Sequence, residues 1–136
     1  MLRPMPAADS SALTLLVVDD QPQLRRLLTR LFERRGCRVW SAGDGHEAAR
    51  LFEEHRDEID VAVLDVLIPP DGAGALLSRL SGLRDDVGWI LTSGAELLPD
   101  LRDRLAALGG VFLRKPFSPE EAHAAVRRVT PVRSGS

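Results

Sequence analysis

Cysteine occurs once in the 136 residues, at Cys37, so no disulfide forms within the chain and its usage fits a reducing compartment. Long apolar runs are missing too. The start, Met1-Leu2-Arg3-Pro4-Met5-Pro6, lacks the apolar stretch of a secretion signal. No run approaches the ~18 residues needed to span a bilayer. A cytoplasmic chain with no membrane partner is the expectation. Net charge is nearly absent: 18 basic against 20 acidic residues leave -2, which gives no electrostatic footprint for a nucleic acid. Internal repeats and low-complexity blocks are absent. No Walker A motif occurs, which argues against nucleotide hydrolysis. Lysine is the scarcest of the common charged residues, because of the 18 basic residues only Lys115 is one.

What is present is an ordinary globular composition, 44% hydrophobic and 28% charged, in a length that suits one domain. The chain is organised around Val61-Ala62-Val63-Leu64-Asp65. An unbroken apolar run of this kind suits a strand buried on both faces of a parallel sheet. Asp65 closes it, followed by Pro69-Pro70-Asp71-Gly72, which continues neither strand nor helix. In open α/β sheets, ligands bind beyond the carboxyl ends of the strands.

Taken in order, residues 1–12 read as a flexible lead-in. Residues 13–18 form a second apolar strand, ending on Asp19-Asp20. Pro22 opens a helix with Leu24, Leu27, Leu28, Leu31 and Phe32 on one face, closed by Gly36. A strand is expected over 37–41 and a helix carrying Ala48, Ala49, Leu51 and Phe52 after Gly45. A third helix holds Leu76, Leu77 and Leu80 and is expected to stop near Gly82. Residues 87–92 predict a fourth strand, 99–108 a fourth helix, and 111–113 a fifth strand. Ser118-Pro119-Glu120-Glu121 carries the pattern of a capping box for a final helix. Residues 130–136 read as a flexible tail, which leaves one domain over 13–129. Alternating strands and helices predict a doubly wound, five-stranded parallel sheet of flavodoxin-like order 2-1-3-4-5, with helices on both faces.

In that order the first and third strands are neighbours, so Asp19, Asp20 and Asp65 converge. The fourth strand brings Thr92 and Ser93 to the same edge, and the fifth brings Lys115. Two unit charges about 4 Å apart repel by about 4 kcal/mol at an effective dielectric of 20. The trio therefore calls for a cation. Carboxylate oxygens without His or Cys favour a hard ion, Mg²⁺ before others. Metal and lysine together would admit a phosphoryl group of charge about −2.

Asp19-Asp20, Asp65, Ser93 and Lys115-Pro116-Phe117 resemble the motif set of response-regulator receiver domains, over about 13–129 of the chain. The resemblance implies phosphotransfer from a phosphohistidine onto Asp65, the donor being a sensor histidine kinase or a histidine phosphotransfer protein. It implies Mg²⁺ held by Asp20, Asp65 and the backbone carbonyl of Leu67, with Asp19 acting through water. Lys115 would pair with the phosphoryl group, Ser93 would turn its hydroxyl to it, and Phe112 would follow inward. A cis bond before Pro116 is implied as well. The face formed by the fourth helix, fifth strand and fifth helix would bind a downstream protein target. A stand-alone receiver, monomeric or weakly dimeric, is the expectation, with no catalysis beyond its own phosphorylation and dephosphorylation.

Plainer readings compete at several positions. Asp19-Asp20 alone is a common helix cap, and Thr92 competes with Ser93 for the switch. Phe112 also reads as plain core. Gly43-Asp44-Gly45-His46-Glu47-Ala48 fits a dinucleotide pattern formally, yet it follows the second strand rather than the first. His46, His55 and His123 read as solvated. Ile68-Pro69-Pro70-Asp71-Gly72 is one residue shorter than the usual loop of the family, with Ile where Met is usual. Leu67 and Ala95 stand at two positions from which family members tune hydrolysis. Neither can hydrogen-bond water, which implies slow loss of the phosphoryl group. The alternatives are a receiver-fold binding module not regulated by phosphorylation, or an Mg²⁺-dependent aspartyl phosphatase. The phosphatase needs a second Asp where Leu67 stands.

Overall fold

The computed structural model describes residues 13–131, so the lead-in 1–12 and the tail beyond 131 lie outside the described residues. In chain order the elements are β1 (Thr14–Val18), α1 (Pro22–Arg34), β2 (Arg38–Ala42), α2 (Gly45–Glu54) and β3 (Val61–Asp65). There follow α3 (Gly72–Leu83), β4 (Gly88–Ser93), α4 (Pro99–Ala107), β5 (Val111–Arg114) and α5 (Pro119–Val129). All five strands are parallel, in the order β2-β1-β3-β4-β5. This is the doubly wound architecture expected from the sequence.

Alternation along the strands explains their unbroken apolar character. Leu15, Val17, Val61, Val63 and Ile90 pack on one face with Leu28 and Phe32 of α1 and Ala122, Ala125, Val126 and Val129 of α5. Leu16, Val18, Ala62, Leu64, Trp89 and Leu91 pack on the other, against Phe52, Leu77, Leu80 and Leu105 of α2, α3 and α4. The apolar residues of the central strands each meet one helical layer or the other, which leaves their runs unbroken. Fully burying one such side chain contributes about 1.5–3 kcal/mol.

Local chemistry fixes the element ends. Ser118 caps α5 in a complete capping box, as its sequence pattern predicts. The formal dinucleotide pattern at Gly43–Ala48 is likewise a capped helix start, because Asp44 accepts from the backbone N–H of Glu47. Gly36, at φ 88°, turns the chain from α1 into β2. Gly88 allows a close approach, since a Cβ there would lie 2.4 Å from the carbonyl oxygen of Val129.

Some expectations shift. The edge strand β2 starts one residue later than expected, and β4 runs on through Ser93. Helix α3 stops at Leu83, next to Gly82, where the sequence predicts its end. The chain leaves the helix at Arg84, whose guanidinium donates to the carbonyls of Arg56 and Ile59 and pairs with Asp86. His46 is exposed as expected, but His55 stacks on Trp40 with ring centroids 3.8 Å apart, and His123 is half-buried. At the tail's start, Thr130 is tied back to the Val126 carbonyl by both its N–H and its hydroxyl.

Candidate functional site

Strand register assembles the site. Val18 pairs with Leu64, so Asp19 and Asp20, just past β1, arrive beside Asp65 at the end of β3. Asp65 pairs with Thr92, and Ser93 with Arg114, which delivers Lys115 to the same edge. One carboxylate oxygen from each of Asp19, Asp20 and Asp65 lies within 4.8 Å of the others. The Lys115 ammonium sits 3.1 Å from Asp19 Oδ2 and 3.3 Å from Asp65 Oδ1. The four charged side chains named from the sequence thus form one cluster.

The three aspartates differ in their surroundings. Asp19 is buried, and both of its carboxylate oxygens are engaged: Oδ2 by Lys115 and Oδ1 by the Gln21 N–H at 2.9 Å. Its backbone carbonyl accepts from Arg25 at 2.7 Å. Asp65 is buried as well. Asp20 is exposed and makes no hydrogen bond or ion pair among the described residues. Its oxygens are open to a ligand.

Burial pushes the Asp65 carboxyl above its ordinary pKa. Lys115 opposes that shift by charge and hydrogen bond, while Asp19 and Asp20 reinforce it. One ammonium facing three carboxylates leaves the cluster negative. A divalent cation would neutralise it, and a donor set of oxygens alone fits Mg²⁺.

The remaining candidates surround this cluster. Ser93 is 7% exposed; its hydroxyl oxygen accepts from the Ala95 N–H at 3.0 Å, and its carbonyl accepts from the Lys115 N–H. Thr92 is buried, with its carbonyl bonded to the Val66 N–H. Phe112 is half-buried against the core and lines an open groove of about 260 Å³ with Leu97 and Leu105. Leu67 is 79% exposed, and Ala95 is exposed.

The short loop after Asp65 is pinned at several points. Val66, Ile68 and Pro69 carbonyls accept from the N–H groups of Ala73, Gly72 and Gly45. Ile68, where the resembled family has Met, is 2% exposed and fills the core. Lys115-Pro116 is cis as expected, and so is Pro69-Pro70, which the sequence reading did not foresee. Also unforeseen is the bracing of Asp19 by Gln21 and Arg25. An aspartate accepting from the N–H two residues on is a readable local signal; the reach of Arg25 is not.

With this geometry in place, comparison with known proteins is decisive. The family model of the response regulator receiver domain matches residues 15–127. The chain is 33% identical over 138 residues to the probable transcriptional regulatory protein TcrX of Mycobacterium tuberculosis, covering 97% of this chain and 58% of that protein. It is 32% identical over 120 residues to the sensor kinase CckA of Brucella abortus, covering 88% of this chain and 13% of the kinase. Among solved structures, the CheX-CheY-BeF3-Mg²⁺ complex from Borrelia burgdorferi contains a chain matched with TM-score 0.79 at 25% identity, covering 89% of this chain and 92% of that one. Vibrio cholerae chemotaxis protein CheY4 matches with TM-score 0.77 at 25% identity, covering 87% and 98%. The chain belongs to the response regulator receiver domain family of two-component signalling. It spans about half the length of the curated regulators it matches, 58% of one and 44% of another.

No helix among the described residues is long and apolar enough to cross a membrane.

Proposed function

We propose that this chain is the phosphoacceptor of a two-component phosphorelay and that Asp65 takes the phosphoryl group. The observation that carries this reading is the convergence of Asp19, Asp20 and Asp65 around the only lysine of the chain. A carboxylate oxygen of Asp65 attacks phosphorus, the P–N bond to the donor histidine breaks, and the imidazole leaves as a neutral ring after taking up a proton. The product is an acyl phosphate on Asp65. Asp20, Asp65 and the Leu67 carbonyl would hold Mg²⁺, with Asp19 acting through water; when bound, the ion neutralises charge on the transferring group. The open carboxylate of Asp20 and the fully engaged one of Asp19 support that division of roles.

Lys115 then shifts its ammonium from the carboxylates toward the new phosphoryl oxygens. A compact ammonium suits a confined pocket better than the planar fork of an arginine. Ser93 turns its hydroxyl to a phosphoryl oxygen, and Phe112 moves inward beside the groove under α4. The surface of α4, β5 and α5 is thereby re-posed, a two-state element biased by new local charge. Its partners are a sensor histidine kinase or histidine phosphotransfer protein upstream and a protein target downstream. Catalysis is confined to the chain's own phosphorylation and dephosphorylation.

The test is intact-mass measurement after incubation with acetyl phosphate and Mg²⁺. Wild type gains one phosphoryl group and Asp65→Asn gains none. An unlabelled wild type would favour a receiver-fold binding module instead.

A further inference from the structure

We infer that Arg104 is a positioning residue that ties the pose of α4 to the first turn of α3, and through it to the loop after Asp65. The inference rests on the reading of Asp65 as phosphoacceptor. It concerns how that event reaches the surface.

Helix α4 is weakly docked by apolar packing. Leu105 is its one buried side chain, and Leu98, just before it, is 75% exposed. Against this, Arg104 makes the polar link to α3. Its Nη2 donates to the carbonyl of Gly74 at 2.8 Å and to the hydroxyl of Ser78, while Nη1 lies 3.8 Å from Asp100 one turn back on α4. A fork of donors is needed to serve α3 and α4 together, and a guanidinium provides one. Arg104 and Leu101 pack directly over Gly74, where a Cβ would meet Arg104 Nη1 at 3.4 Å and Leu101 Cδ1 at 3.8 Å, ordinary contact distances.

The far end of the link matters most. Gly74 belongs to the first turn of α3, and the two residues before it are held by the loop that follows Asp65. The Gly72 N–H donates to the Ile68 carbonyl at 2.8 Å, and the Ala73 N–H donates to the Val66 carbonyl at 3.1 Å. Val66 is in turn bonded to the Thr92 carbonyl of β4. Any shift of this loop on phosphorylation moves the Gly74 carbonyl, and Arg104 carries that displacement into α4. The route is separate from the one through Ser93 and Phe112. The Arg104 bonds in it are removed by one substitution, so the coupling is measurable.

Hydrogen exchange of the full chain, with and without beryllofluoride and Mg²⁺ as a phosphoryl mimic, tests it. In wild type the mimic slows exchange in the loop 66–71 and changes it in α4. In Arg104→Ala, the α4 amides exchange roughly fivefold faster at rest, as expected for a lost charge-assisted anchor on a weakly held helix. The loop still responds to the mimic, but the ratio of α4 exchange between the two states falls toward one. A merely structural role would raise α4 exchange equally in both states and leave that ratio unchanged, which would overturn the inference. Arg104→Lys, able to reach the Gly74 carbonyl but not all three groups, restores part of the ratio. A ratio no better than that of Arg104→Ala would overturn the role of that carbonyl. If the wild-type loop itself ignores the mimic, the reading of Asp65 fails and takes this inference with it. A loop that responds while α4 responds undiminished in Arg104→Ala overturns this inference alone.

Discussion

The ammonium of Lys115 donates to Oδ2 of Asp19 at 3.1 Å across 96 residues of sequence. The same nitrogen is 3.3 Å from Asp65, so one cation is shared between two buried carboxylates while a third faces solvent. The arrangement is under-compensated by design of its residues. That imbalance yields measurable consequences.

Asp65→Asn should stabilise the metal-free protein. The carboxyl's pKa is raised by burial and by its acidic neighbours, so holding it ionised at neutral pH opposes folding. Removing that charge is expected to add about 1 kcal/mol, or about 3–5 °C in the thermal midpoint for a domain of this size. The sign with pH follows. A carboxyl whose folded pKa lies above its unfolded one binds its proton first in the folded state, so stability is regained as pH falls through the folded pKa. The gap between wild type and Asp65→Asn should therefore close on acidification. Thermal unfolding in chelator at a series of pH values measures it.

A double-mutant cycle on Lys115 and Asp65 should show coupling. Lys115→Ala leaves the aspartates without their shared cation and is expected to cost about 2 kcal/mol, less than for a fully buried pair because Lys115 is 21% exposed. In the Asp65→Asn background the cost should fall by about 1 kcal/mol. Denaturant titration of the four proteins checks this, and strict additivity would contradict the shared contact.

The phosphoryl group, once on Asp65, should persist. Leu67 is 79% exposed beside the site and Ala95 is exposed, and neither side chain has an atom to orient an attacking water. A half-life of minutes or longer in Mg²⁺ is expected from the decay of labelled protein. Decay within seconds would contradict it. Replacing Leu67 by Asn or Glu should shorten the lifetime.

Gly88→Ala should destabilise the fold by at least about 2 kcal/mol, because its Cβ would lie 2.4 Å from the Val129 carbonyl oxygen and 2.7 Å from that residue's side chain. A shift of the urea midpoint at constant slope reports it. A near-neutral substitution would mean that α5 does not end so close to β4.

Legibility from sequence follows the physical origin of each feature. The strand Val61–Asp65 and its neighbours were readable because burial on both faces leaves unbroken apolar runs. The edge strand β2 was displaced by one residue because it is only partly covered, and the apolar signal is correspondingly weak. The gathering of Asp19, Asp20, Asp65 and Lys115 was legible because each follows the carboxyl end of a strand whose place in the sheet the sequence predicts. What escaped were side-chain contacts between distant segments: Arg104 with Gly74, Arg25 with the Asp19 carbonyl, Trp40 with His55, and the buried Asp60 accepting from the Thr14 N–H. Such contacts have no period in the sequence to reveal them.

Chemical trapping of the labelled residue tests the central claim most directly. After reaction with acetyl phosphate and Mg²⁺, borohydride reduces an acyl phosphate to an alcohol and releases phosphate, so peptide sequencing by mass spectrometry reads the acceptor as homoserine. Homoserine at position 65 alone is the predicted result. Homoserine at position 19 or 20, or at no position in protein that had gained a phosphoryl group, would contradict it.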